Sequence, residues 1–252
     1  MYAQFFGSYL LNKNLVTTEQ LAKELENKTN TKIRLGVLAI NAGLMTGANV
    51  EAVHQAQSKQ DKRFGEIAVD MGFLTEDNVN ILLSSQPSDY LLLGQALVND
   101  GIISNVDFDK AITEYNEKYQ IPQDEISDIQ SSKLSDIVNE FYNFESHENA
   151  KAYISNISLL FNNLIRFIGD DFTPLEAYIV KEIDSEYIVK QNIRGSVNCQ
   201  TSIEGEKYQY LKFASRFANE DINEIGEYAH ASVGEFLNLH NGLFAVNMSN
   251  ES

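Results

Sequence analysis

The chain has 252 residues, 43% of them hydrophobic and 22% charged, and a formal net charge of -17 at pH 7. Residues 1–115 hold 9 Lys/Arg against 14 Asp/Glu, and the remainder 10 against 22, so neither half offers the basic footprint that binding to duplex or RNA requires. The single Cys199 excludes a disulfide framework and a multi-thiolate metal site.

The N-terminal run MYAQFFGSYLLNKN has no basic segment ahead of its apolar residues, unlike a signal peptide. Runs such as YLLLGQALV are too short to span a bilayer. The expectation is a cytoplasmic protein without membrane insertion. Self-similarity then appears at a period of 29 residues. Gly7, Gly36, Gly65 and Gly94 keep that spacing, as do Asn14, Gly43, Gly72 and Gly101. Thr17, Thr46, Thr75 and Ser104 form a third column, and Leu21, Val50, Val79 and Phe108 a fourth. Gly, or Asn in its place, is the residue on which a helix ends in a left-handed conformation, and Ser or Thr three residues later is an N-cap. Gln20, three after Thr17, completes a capping box. Each unit therefore reads as a short helix, a tight turn and a longer helix, and paired units would share a core. His54 falls in a column with Leu25, Leu83 and Ile112, which marks it as a packing residue.

Only the middle two units begin with Arg, at Arg34-Leu35-Gly36 and Arg63-Phe64-Gly65, and only those close with Gln, at Gln57 and Gln86. A five-residue spacer, Ser58 to Lys62, separates them. This tandem pattern resembles the MshEN domain of type II secretion and type IV pilus ATPases, members of which bind cyclic di-GMP. The resemblance is strong over residues 30–90 and weak in the flanking units. It implies that Arg34 and Arg63 contact guanine, that the backbones of Gly36 and Gly65 lie near the ligand, and that Leu35, Phe64, Gly43, Gly72, Gln57 and Gln86 complete the site. Ala39-Ile40 and Ala68-Val69 stand where the family has an apolar pair, and Phe64 replaces Leu. Arg can both stack on a base and pair with phosphate, which suits such a ligand. The competing reading is a helical repeat that serves only as a spacer or docking surface.

Residues Lys118 to Lys133 are polar, carry a Pro and read as a linker. Helical patterning resumes over Leu134 to Phe144 and Glu148 to Ile168, and Gly169-Asp170-Asp171 ends it. Four β-prone runs follow, AYIVKEI, YIVKQNI, SVNCQTSI and KYQYLKF, with Gly205 as a hairpin turn. A final helix runs from near Asn219 to about Asn241. The fold class expected is α + (α+β): an all-helical domain of four repeats over 1–116, a linker over 117–133, and an α+β domain over 134–252 with one sheet packed by helices.

In the final helix, Glu235 and Asn238 are three apart and share a face. The run ASVGEFLNLHNG, a Gly before the Glu, and a long helix followed by β-prone runs resemble the CheC/CheX/FliY phosphatases of chemotaxis, and the single E-x-x-N points to CheX. The resemblance covers residues 131–252. It implies hydrolysis of the aspartyl phosphate on a phosphorylated CheY-type receiver, with Mg²⁺ carried by the receiver and no metal or cofactor in this chain. Asn238 would hold the attacking water in line, and Glu235 would pair with the receiver's Lys. It also implies a homodimer and a further strand pair beyond Ser252. Ala231 departs from the family, where Asp or Ser is common four residues before the Glu. The alternative is a non-enzymatic adaptor that grips a receiver or a flagellar switch component. His230 and His240, ten apart, do not have metal-ligand spacing.

Overall fold

The computed structural model describes residues 3–119, 127–142, 144, 148–178, 180–195 and 198–250. These residues are mostly helical, with one small antiparallel sheet of two strands. Two compact units result: residues 1–124 with 171–176, and residues 125–170 with 177–252.

The first unit contains helices α1 (Phe6–Asn12), α2 (Thr18–Asn27), α3 (Leu35–Asn41), α4 (Gly47–Gln57), α5 (Phe64–Asp70), α6 (Glu76–Ser84), α7 (Asp89–Asn99) and α8 (Asn105–Tyr119). Each short helix ends on a left-handed residue: φ is 55° at Asn14, 66° at Gly43, 75° at Gly72 and 67° at Gly101. The longer helix then starts from a cap. Thr17, Thr46 and Thr75 accept the backbone N–H of Gln20, Asn49 and Asn78, whose side chains accept the cap residue's own N–H in return. Ser104 and Asp107 make the same reciprocal pair, and the bonds from Ser104 hold the Asp107 carboxyl below the usual carboxylate range. A Cβ added at Gly72 would meet nothing within 4 Å, so Gly72→Ala isolates the backbone strain. It is expected to cost about 1 kcal/mol in a urea titration, because an L side chain disfavours this region.

The first glycine column does different work. A Cβ on Gly36 would lie 2.9 Å from Val50 Cγ1, and one on Gly65 would lie 3.2 Å from both Leu35 Cδ2 and Val79 Cγ1. Absence of a side chain lets each short helix close onto the longer one that follows. Helices pair as α2 with α7 and α1 with α8, and as α3 with α6 and α4 with α5. The two sets join through α4 against α8 and α3 against α7. At that joint the Gly47 N–H donates to Asp109 Oδ2 (2.8 Å) and Asn105 Nδ2 donates to Glu51 Oε1 (2.7 Å). The two bonds are reciprocal, since 47 and 105, like 51 and 109, are two 29-residue periods apart. Phe6 sits edge-on to Tyr115 at 5.3 Å and to Phe108 at 6.1 Å, forming an aromatic core. Residues 171–176 also belong here: Ser8 Oγ donates to the Pro174 carbonyl.

The second unit consists of α9 (Ser127–Phe141), α10 (Ala150–Phe167), strands β1 (Tyr187–Ile193) and β2 (Cys199–Gly205), then α11 (Lys207–Ala218) and α12 (Glu227–Asn250). The strands pair antiparallel, from Tyr187 opposite Gly205 to Ile193 opposite Cys199. Gly205 therefore ends β2, and Gly195 lies in the connection between the strands. The run KYQYLKF is helical, not a strand. Tyr210 and Ala214, four apart, are both buried, and Leu211 and Phe213 pack beside them, so helical spacing outweighs aromatic content. The described residues of AYIVKEI form no strand: Tyr178, Val180 and Ile183 are exposed and have no apolar face to bury. Much of the expected linker over 117–133 is also helical, as α8 runs to Tyr119 and α9 starts at Ser127. Residues 120–126 lie outside the described set.

The final helix is displaced from its expected span. Asn219, taken as its start, is instead the left-handed C-cap of α11 (φ 53°), and α12 continues past Asn241-Gly242 to Asn250. It continues because Asn241 is buried among hydrogen-bonding partners on the hairpin.

Candidate functional site

Helix α12 is sewn to the hairpin on one side. Asn241 Nδ2 donates to Gln191 Oε1 (3.1 Å) and to Thr201 Oγ1 (2.8 Å), and Gln191 Nε2 donates to the Gly234 carbonyl (3.0 Å). Val233, Phe236 and Leu237 are buried, Phe236 edge-on to Phe213 and Phe217 of α11. These anchors fix the rotation of the helix, and Glu235 and Asn238 consequently stand exposed together on its outer face. Gly234 is not demanded by crowding, since an added Cβ would make only an ordinary 3.8 Å contact with Val189. Tyr228 and Val246, both exposed, lie seven residues before and eleven after Glu235, on the same face. Ala231 is exposed one turn before Glu235 and brings no polar group. Ser232 does not replace it: its hydroxyl is buried and donates to the Tyr228 carbonyl at 2.9 Å.

In the first unit the two Arg-containing segments meet. Leu35 approaches Gly65, and the Phe64 ring stands 3.4 Å from where a Gly36 Cβ would be. The N-terminal ends of α3 and α5 thus adjoin, and Arg34 and Arg63, at their caps, have exposed side chains. The Arg34 N–H donates to buried Gln95 (2.9 Å), and the Arg63 N–H donates to Glu66 (2.8 Å). Gly36 is buried against Val50, so protein already occupies its open side. Gly43 and Gly72 are exposed turn residues at the other ends of these helices. Gln57 donates to the Lys62 carbonyl at 3.2 Å within the spacer, and Gln86 is exposed. His54 is half-buried, edge-on to Phe64 at 5.2 Å.

Sequence reasoning missed Gln95, Gln191 and Thr201 as positioning residues and read Asn241 as a helix-end residue. Their polarity inside otherwise apolar patterns was the available signal. Among the described residues no cluster of His, Cys, Asp and Glu could hold a metal ion, and no helix is long and apolar enough to cross a membrane. Comparisons with protein-family models, with curated proteins and with solved structures find no match to this chain.

Proposed function

We propose that this chain is a signalling protein of chemotaxis or motility whose C-terminal unit is a CheX-like phosphatase for the aspartyl phosphate of a CheY-type receiver. The observation that supports it is the exposed pair Glu235 and Asn238 on a helix locked in rotation by Gln191 and Asn241. A side-chain amide can hold a water in line with the phosphoryl group without ionising, and the receiver brings its own Mg²⁺. Glu235 sets the docking register by pairing with the receiver's Lys. Tyr228 and Val246 supply apolar contact along the same stripe.

The test is the rate of phosphate loss from a phosphorylated CheY-type receiver. Acceleration is expected with this protein, and Asn238→Ala is expected to remove it by roughly two orders of magnitude, the scale of a lost positioning group. Glu235→Ala should chiefly weaken receiver binding. A receiver that binds unchanged but loses phosphate no faster would establish the adaptor reading, which Ala231 favours because no polar group stands one turn before Glu235.

The N-terminal unit, built of four 29-residue helical repeats, is proposed to sense cyclic di-GMP through Arg34 and Arg63. Support comes from the reciprocal approach of Leu35 to Gly65 and Phe64 to Gly36, which sets two like motifs side by side as a two-fold ligand requires. Calorimetric titration should detect binding that Arg34→Ala and Arg63→Ala each weaken. Titrations unaffected by both substitutions would remove this module's sensing role.

A further inference from the structure

Six exposed residues of α12 form a narrow seam along its outer face: Tyr228, Ala231, Glu235, Gly242, Val246 and Ser249. Their spacing, three, four, seven, four and three, is the same read from either end. Such a seam is the kind along which two helices can lie side by side. Reversing the helix about a point just after Asn238 places 249 on 228, 246 on 231 and 242 on 235. In each pair a larger side chain then meets a smaller one: Tyr228 meets Ser249, Val246 meets Ala231, and Glu235 meets Gly242. Space is open at the last of these, since a Cβ added to Gly242 would meet nothing within 4 Å.

Charge fits the same arrangement. Glu235 is the only Asp, Glu, Lys or Arg from Tyr228 to Asn250, in a chain that is 22% charged and carries a net charge of -17. This face can therefore approach its own copy with little of the like-charge repulsion that such a chain otherwise presents. The reversed register sets each Glu235 against a glycine, which leaves the two carboxylates about 10 Å apart along the helix. We infer that two copies of the chain pair through α12, antiparallel about a two-fold axis beside Asn238, and that the pairing covers Glu235 and Asn238. An isologous contact requires that one residue meet a second and the second meet the first, which is the relation these positions have. A partner of another sequence would impose no such symmetry on the seam. The pairing is read from α12 alone. Its consequence rests on the phosphatase reading: the dimer is the closed form, and a receiver must displace the second copy to reach the site.

Sedimentation equilibrium of the full chain is expected to show a dimer. Gly242→Lys and Gly242→Glu add side chains of similar reach, so the difference between them reads the charge that faces position 242. The contact occurs twice per dimer, and the Lys variant should dimerise at least about tenfold more tightly than the Glu variant. In a Glu235→Lys background that order should invert, whereas a general effect of net charge would favour Lys in both. A monomer throughout the titration would overturn the pairing. A dimer in which the order does not invert would also overturn it, because another surface would then form the contact. Occlusion is tested with the parent protein: phosphate release per chain from the phosphorylated receiver should rise as dilution splits the dimer. Activity per chain that ignores this transition would overturn the masking. A dimer with the expected inversion but no activity at any dilution would uphold the pairing and remove the phosphatase reading instead.

Discussion

Phe108→Ala is expected to destabilise the first unit by about 3–5 kcal/mol, as deletion of a large buried aromatic does. The ring is fully buried, edge-on to Phe6, and lies directly over Gly94, where an added Cβ would fall within contact distance of the ring carbons. The effect has a built-in control. Gly94→Ala alone should cost roughly 1–3 kcal/mol by overpacking, because a buried ring cannot swing aside. In the Phe108→Ala background the new methyl enters the vacated space, so the second substitution should cost little or recover stability. Urea titrations of the four proteins, followed by far-UV circular dichroism, measure the coupling. Additive losses would mean that Gly94 and Phe108 do not share one packing site.

Mild acid should weaken the second unit through His240. The ring is buried between α10 and α12, and burial lowers its pKa from 6.5 to about 4. Asn163 Nδ2 lies 3.2 Å from Nδ1 and can only donate, so the ring is neutral with its proton on Nε2. Above pH 7 both folded and unfolded chains hold a neutral ring, and the group is silent. Below 6.5 the unfolded chain takes up a proton that the folded one refuses, so stability falls until the pH passes about 4. The loss should approach about 2 kcal/mol at pH 5 and about 3 kcal/mol at its limit. Exposed carboxylates held below their ordinary range, such as Glu114, which accepts from the Tyr9 hydroxyl and from Lys13, lose their contribution only as pH falls through the carboxylate range. The pH 7 to 5 window therefore separates histidine from carboxylate titration, and comparison with a His240 variant singles out this ring. Denaturation midpoints for the parent and His240→Gln should converge as pH drops across it; a constant difference would show that His240 does not titrate on unfolding.

The features that were legible in the sequence are those set by local chemistry. A left-handed helix end needs Gly or Asn and an N-cap needs Thr or Ser, so Asn14, Gly43, Gly72 and Gly101 and the caps after them could be read directly. The purpose of Gly36, Gly65 and Gly94 was not legible, because it depends on which helix lies across each one. Around α11 the β-prone texture of KYQYLKF misled, since the apolar surfaces that cover Tyr210 and Ala214 come from residues distant in sequence. Asn241-Gly242 looked like a helix end for the same reason: Gln191 and Thr201, which keep Asn241 inside a continuing helix, are 50 and 40 positions away. At the candidate site, the three-residue spacing placed Glu235 and Asn238 on a common face. That this face points outward depends on the anchors beneath it.

Residues 171–176 bear on the order in which the chain can fold during synthesis. They complete the unit built mainly from residues 1–124, with Thr173 against Gly7 and Pro174 accepting from Ser8. That unit cannot close when its last helix leaves the ribosome. It must wait for about fifty more residues, several seconds at ordinary translation rates. By then α9 and α10 have emerged, ahead of α12, which packs against α10. The two halves are thus out of step with their own boundaries: the earlier one is released late, and the later one is half-exposed while it waits.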